Sequence, residues 1–264
     1  MYLSSAQNSK IKDVVALREK KERDRTGQTL VEGVREVMLA VEAKLEVESL
    51  FILDGTISAT IEQKLRKALP LTTALYEVSE QVFDKISYGN RREGLLAVVK
   101  RPRRSLKDIP ISNSSIFLIV ESLEKPGNLG AVLRTADAAG IDGVIVCDPK
   151  VDIDNPNVIR SSLGTLFTVN VVAAKTVETI NFLKNNKIRI AAADPKASVI
   201  YTKVDFKCPL AIVAGSEEKG LTDLWHRAAD VSVKIPMKGK VDSLNTSVAL
   251  SVLLYEALRQ NESR

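Results

Sequence analysis

Three polar turns hold most of the residues in this 264-residue chain whose types and spacing could do chemistry. Glu121–Gly130 reads ESLEKPGNLG, Gly215–Leu221 reads GSEEKGL, and Met237–Asn245 reads MKGKVDSLN; each follows a short apolar, β-rich run. Hydroxyl and amide side chains beside a glycine loop, at the start of a helix, leave backbone N–H groups free to face a ligand. Asn128, Glu217, Ser243 and Asn245 are the candidates of this kind. Arg134 joins them: about a turn and a half into a helix whose neighbouring face carries Ala131, Thr135 and Ala138, a guanidinium can reach out while another backbone or a ligand comes close. Each residue also has a purely structural reading. Asn128 would cap the Arg134 helix, Ser243 or Asn245 would cap the last helix, Glu217 would cap the helix after Leu221, and Arg134 would pair with Asp137 or a more distant acid.

Other chemistries find little support. No glycine-rich run ends in Gly-Lys-Ser/Thr, and there is no Gly-x-Gly-x-x-Gly. His226 is the only histidine, reads as a surface or packing residue, and leaves a hydrolytic triad without a base. Cys147 and Cys208, far apart and each near a proline, read as buried thiols; with a single histidine they build no zinc site, and no metal is expected.

The elements that must position these turns alternate. A basic amphipathic helix is predicted over 7–25, then a strand ending at Gly33, helix 34–43, strand 47–53, helix 57–69, strand 74–78, helix 80–86 and strand 94–99. Lys100–Ser115, with two prolines and no hydrophobic period, reads as a linker. Beyond it come strand 116–120, helix 129–139 ended by Gly140, strand 143–147, a Pro-Asn segment near 155–163, strand 169–173, helix 177–185, and strands 188–193 and 210–214. Helix 222–229, strand 231–235 and a final helix running to Leu258 follow. The last helix is apolar nearly all round, so it belongs in a core, an interface, or both. The fold class is α/β with two domains, 1–107 and 108–264; the second carries a parallel sheet whose ligand site lies beyond the strand C-termini.

With 45% hydrophobic residues the chain can bury such cores, and no apolar run of 18 residues points to a membrane. The N-terminus lacks a signal-peptide core, which makes a cytoplasmic location the expectation. The formal net charge is +5. Lys85–Lys107 contains eight basic residues against one acid, Glu93. It reads either as a solvated linker or as a phosphate-binding strip, with Arg91, Arg92, Arg101, Arg103 and Arg104 as the contacts.

Taken in order, Asn128-Leu-Gly-Ala-Val-Leu-Arg134-Thr-Ala, Gly215-Ser-Glu217-Glu-Lys-Gly220-Leu and Ile235-Pro-Met…Ser243-Leu-Asn245-x-Ser-Val-Ala resemble the three motifs of the SpoU (TrmH-like) RNA ribose 2′-O-methyltransferases of the SPOUT superfamily. The resemblance covers 116–258. The first part is similar, less specifically, to the small ribosomal-protein-like substrate-binding domain of larger members, through Leu30-Val-Glu-Gly-Val-Arg-Glu-Val and Gly94-Leu-Leu-Ala-Val-Val. What the resemblance implies is a C-terminal SPOUT domain with a trefoil knot and a bent S-adenosylmethionine pocket held by Gly215, Ile235 and Leu244, with Met237 nearby. It further implies a homodimer paired at the knot, and Arg134 orienting or deprotonating a ribose 2′-OH while Asn128, Glu217, Ser243 and Asn245 shape the pocket. Lys125 stands where many members have an acid, and Thr246 where valine is common. The implied substrate is structured RNA, rRNA (23S) ahead of tRNA. A tRNA methyltransferase and a non-catalytic RNA-binding ribosome-assembly factor of the same fold are the alternatives.

Overall fold

The computed structural model describes residues 1–88, 93–102 and 104–262; Arg91, Arg92 and Arg103 lie outside them. Two compact units emerge. Residues 1–103 together with 154–168 form the first, and 104–153 together with 169–264 form the second.

The first unit contains β1 (Tyr2–Leu3), α1 (Ser9–Ala16), α2 (Lys20–Thr26), β2 (Gln28–Glu32), α3 (Val34–Glu42), β3 (Val47–Leu53), α4 (Ala59–Ala68), β4 (Ala74–Val78), α5 (Glu80–Ile86) and β5 (Leu95–Lys100). Its five strands are ordered β1-β4-β3-β5-β2, with β5 antiparallel to both of its neighbours. The predicted helix over 7–25 is in fact two. Arg23, only 1% exposed, donates from Nη1 to the carbonyls of Leu17 at 2.9 Å and Arg18 at 2.6 Å, satisfying α1's free C-terminal end and fixing the break. Asn155–Leu163, read only as a Pro-Asn segment, folds as α7 (Pro156–Ser161) and packs on β2. Thr29 Oγ1 donates to the Asp154 carbonyl at 2.7 Å in the interior of this unit.

The second unit contains β6 (Ile116–Glu121), α6 (Pro126–Ala139), β7 (Gly143–Cys147), β8 (Val171–Ala174), α8 (Thr176–Asn185), β9 (Arg189–Ala193), β10 (Val199–Ile200), β11 (Leu210–Ala214), α9 (Asp223–Ala228), β12 (Val231–Lys234) and α10 (Thr246–Glu262). Seven strands run in the order β10-β12-β9-β11-β6-β7-β8, every pairing parallel, as the α/β alternation requires. All residues of β6, β7 and β11 are buried, which accounts for their unbroken apolar runs. Phe117, Ile119, Val213, Ala192 and Trp225 share one core cluster. Cys147 is buried there, and burial pushes its thiol up to about 12. The last helix is less uniformly buried than its composition suggests: Leu250, Leu253, Leu254 and Ala257 are enclosed, while Val248 and Tyr255 are about half exposed. No helix among the described residues is long and apolar enough to cross a membrane.

Candidate functional site

At the end of β11 the chain turns sharply. Ser216 and Gly220 form a bridge, the Gly220 N–H donates to the Ser216 carbonyl at 2.9 Å, and Gly220 sits at φ +66°. A Cβ on Gly215 would come within 2.0 Å of the Gly220 carbonyl carbon and oxygen, so the turn needs glycine there. The Thr246 hydroxyl, first residue of α10, donates to the Gly215 carbonyl at 3.1 Å and ties the last helix to this loop. The loop's exit is held by a residue the sequence did not single out. Glu121, 2% exposed at the end of β6, accepts from Thr222 N–H at 2.8 Å, Thr222 Oγ1 at 2.8 Å and Thr176 Oγ1 at 3.0 Å. This carboxylate, not Glu217, holds Thr222, the residue that leads into the helix after Leu221; its only signal in the sequence is an acid closing an apolar strand.

Glu217 is thereby free for other partners. Its Oε1 accepts from Asn128 Nδ2 at 3.0 Å and from Asn245 Nδ2, and its Oε2 accepts from Lys125 Nζ at 3.0 Å. The Lys125 ammonium foremost, with the two amides, holds the Glu217 carboxyl below the usual carboxylate range, so it is anionic at neutral pH. Asn128 does not cap α6: the helix begins at Pro126 after Lys125, and Asn128 lies inside its first turn with its amide directed to Glu217. Asn245 does cap the last helix, its Oδ1 accepting from Ser247 N–H at 3.0 Å and Ser247 Oγ at 2.6 Å. With Oδ1 so committed, Nδ2 is turned toward Glu217 and toward Asn128 Oδ1 at 3.2 Å. A polar thread continues from Ser251 Oγ to the Ser247 carbonyl (2.7 Å) and from Thr135 to Ser251 (2.9 Å), where the Thr135 hydroxyl must donate because Ser251's proton is already used.

Next to this network a cavity of about 320 Å³ opens beyond the ends of β9, β11 and β12. Gly215, Glu217, Ile235, Met237, Ser243 and Leu244 line it, joined by Asp194 and His226, which no motif had singled out for this site. The structure therefore gathers six of the expected contacts directly and brings Asn128 and Asn245 in through Glu217. Arg134 is exposed on α6, six residues or roughly 9 Å of helix beyond Asn128, and its guanidinium has no hydrogen bond or ion pair with a described residue. Of the arginine strip, Arg101 pairs with Asp24 and Asp154, each at 2.7 Å, and Arg104 donates to the Val169 carbonyl at 2.8 Å. Both spend their donors on the protein itself. The cradle fits S-adenosylmethionine in kind: a glycine turn with no room for a Cβ, apolar walls, and a few convergent polar groups in a cavity of ligand size.

Compared with known proteins, residues 115–255 match the SpoU rRNA methylase family model and residues 8–97 match that of an MRM3-like substrate-binding domain. The chain is 31% identical over 250 residues to the 23S rRNA (uridine(2479)-2'-O)-methyltransferase of Streptomyces viridochromogenes, covering 91% of this chain and 86% of that protein. It is 28% identical over 253 residues to the 23S rRNA (guanosine(2553)-2'-O)-methyltransferase RlmP of Bacillus subtilis, covering 96% and 97%. Among solved structures, the AdoMet-bound rRNA methyltransferase from Sinorhizobium meliloti superposes with a TM-score of 0.91 at 28% identity, covering 98% of this chain and 97% of that one.

Proposed function

Because the chain belongs to the SpoU rRNA methylase family, we propose that it methylates a ribose 2′-hydroxyl of 23S rRNA through the site built on Asn128, Arg134, Glu217 and Asn245. The protein is an S-adenosylmethionine-dependent RNA ribose 2′-O-methyltransferase. The observation that carries the site assignment is the convergence of Asn128, Asn245 and Lys125 on Glu217 at the mouth of a glycine-built cavity.

S-adenosylmethionine, when bound, supplies an electrophilic methyl group. The chain's part is to hold it and to present the nucleophile. Gly215, Ile235 and Leu244 would hold the cofactor with Met237 against it, Ser243 would close the wall, and Asn245 supports it through Glu217. Glu217 gathers the turn after β11, the start of α6 and the start of α10 into one rigid mouth, a preorganisation made before substrate arrives. Arg134, exposed and uncommitted, would orient the 2′-hydroxyl and its neighbouring phosphate and stabilise the negative charge that develops on the oxygen as the hydroxyl proton leaves to that phosphate or to water. A guanidinium with a pKa above about 12 is a poor base, so positioning and electrostatics are its role.

The first unit supplies RNA contacts, with Arg91, Arg92 and Arg103 as the phosphate ligands; Arg101 and Arg104 serve the fold first. A cytoplasmic homodimer paired along α6 and α10 and a knotted C-terminus complete the reading. The half-exposed Val248 and Tyr255 and the small residues around Arg134 support the pairing. Incubation with methyl-labelled S-adenosylmethionine and total RNA, followed by nucleotide mapping, tests it. Label on one ribose of 23S rRNA is expected. Label on tRNA would move the enzyme to the tRNA alternative, and absence of label would leave the RNA-binding factor.

A further inference from the structure

The cavity spans neighbouring strand ends, and its two ends differ. β12, β9, β11 and β6 stand side by side. On the β6 side, Glu217 after β11 is tied to Asn128 after β6, and the methyl group has to be presented there, toward Arg134. The opposite end, beyond β9 and β12, has apolar walls from Ala193, Val233 and Ile235. Such walls suit a flat aromatic ring and not a doubly charged amino-acid tail.

Polar side chains interrupt those walls: Lys196, and two that stand close together, Asp194 and His226. Asp194 follows β9, and its Oδ1 accepts from the Lys196 N–H at 2.8 Å, which fixes the carboxylate in a tight turn. Its Oδ2 stands 3.9 Å from His226 Nδ1, too far for a hydrogen bond, and accepts none from a described residue. The Asp194 side chain is only 22% exposed and the imidazole 39%. One carboxylate oxygen is thus oriented, sheltered and uncommitted, lining the cavity beside an imidazole nitrogen.

We propose that Asp194 and His226 read the amino edge of the cofactor's adenine, the exocyclic amine donating to Asp194 Oδ2 and the adjacent ring nitrogen accepting from His226. Adenine offers this donor-beside-acceptor pattern on its edge, whereas a 6-oxo purine places an acceptor where the amine was. The inference rests on S-adenosylmethionine being the ligand. It assigns side-chain base recognition to a pocket whose other holding groups are glycine backbone and apolar walls.

The test is calorimetry on the full chain with S-adenosyl-L-homocysteine and S-inosyl-L-homocysteine. Wild type is expected to favour the adenosyl compound by roughly tenfold or more, the scale of a sheltered hydrogen bond to a charged group. Asp194→Asn keeps the Oδ1 acceptor and the turn but presents an amide donor in place of Oδ2, so the preference should invert toward the inosyl compound. His226→Ala should weaken the adenosyl compound about three- to tenfold. An unchanged ratio in Asp194→Asn, or equal loss of both ligands, overturns the proposal and leaves Asp194 as a turn residue. A wild-type protein that binds neither compound removes the cofactor assignment itself, a separate result.

Discussion

An asparagine in the first turn of a helix can satisfy the helix's own N–H groups or reach across to a neighbour. Asn128 reaches across because Pro126 and Lys125 already begin α6, and the gain is a bond to Glu217 that no capping role would supply. Arg134 follows the same logic further along α6: it carries its charge into solvent with no partner among the described residues, which leaves the guanidinium available to a substrate. Arg134→Ala should therefore leave folding and cofactor binding intact and lower methyl transfer by ~100-fold or more, as expected of a group whose bonds strengthen in the transition state. Single-turnover assays beside calorimetry check this, and unimpaired turnover would take Arg134 out of the chemistry. A second residue is strained in the opposite sense. Glu36 is 4% exposed, its Oε2 has no hydrogen-bond partner, and burial, reinforced by Glu93, raises its carboxyl above the ordinary 4.5 against the opposing charges of Arg35 and Arg160. A raised carboxyl pKa means stability that is full below 4.5 and lost as the pH climbs through the folded value, so at neutral pH the charge is a cost. Glu36→Gln should raise the melting temperature at pH 7, and the gain should fade in melts taken below the ordinary carboxylate pKa; a lower melting temperature at pH 7 would sink the argument.

At the scale of elements, the glycine turn after β11 governs whether the cavity exists. Gly215→Ala places a methyl 2.0 Å from a backbone carbonyl, which only displacement of the turn relieves. Loss of cofactor binding with far-ultraviolet circular dichroism preserved is the expected outcome, and retained binding would show that the turn can yield. This turn was legible in the sequence because polar and glycine residues after an apolar strand have few other uses. The strand alternation was legible for the same reason: β6, β7 and β11 are buried on both faces and so are apolar save for Glu121 at the end of β6. Glu121, Asp194 and His226 were not, since each acquires its role from residues far away in the chain, and a single acid or histidine carries no period to betray it. The break between α1 and α2 was hidden likewise, because it depends on Arg23 turning inward in a stretch whose charge pattern suits one continuous helix. Arg101 shows the converse, a charge that looks free in sequence and is spent in the fold. It is paired with Asp24 and with Asp154, whose side chain is 8% exposed, so its replacement by Ser should lower the urea midpoint of the first unit; an unchanged midpoint would return it to the RNA-binding strip.

For the molecule as a whole, the question is where the net charge of +5 meets RNA. The strip from Lys85 to Lys107 holds eight basic residues, but four have partners in the protein: Lys85 donates to the Ala6 carbonyl, Lys100 pairs with Glu46, and Arg101 and Arg104 are engaged as described. A basic residue whose charge is met by a carboxylate, as at Lys100 and Arg101, releases little counterion when RNA arrives. One whose N–H groups serve carbonyls, as at Lys85 and Arg104, is held to the protein rather than offered to phosphate. Phosphate contact is proposed for Lys107 and for Arg91, Arg92 and Arg103, which lie outside the described residues. Replacing Arg91, Arg92 and Arg103 by Ser should flatten the log–log plot of RNA affinity against salt by about two to three units of slope, while S-adenosylmethionine binds as before. Replacing Arg101 and Arg104 instead should leave the slope nearly unchanged and show its effect in stability. Fluorescence anisotropy with an rRNA fragment over a salt series separates the two sets. If the first triple substitution keeps the wild-type slope, the strip is a solvated segment and the RNA is held elsewhere; if the second pair flattens it, their intramolecular partners are given up on binding.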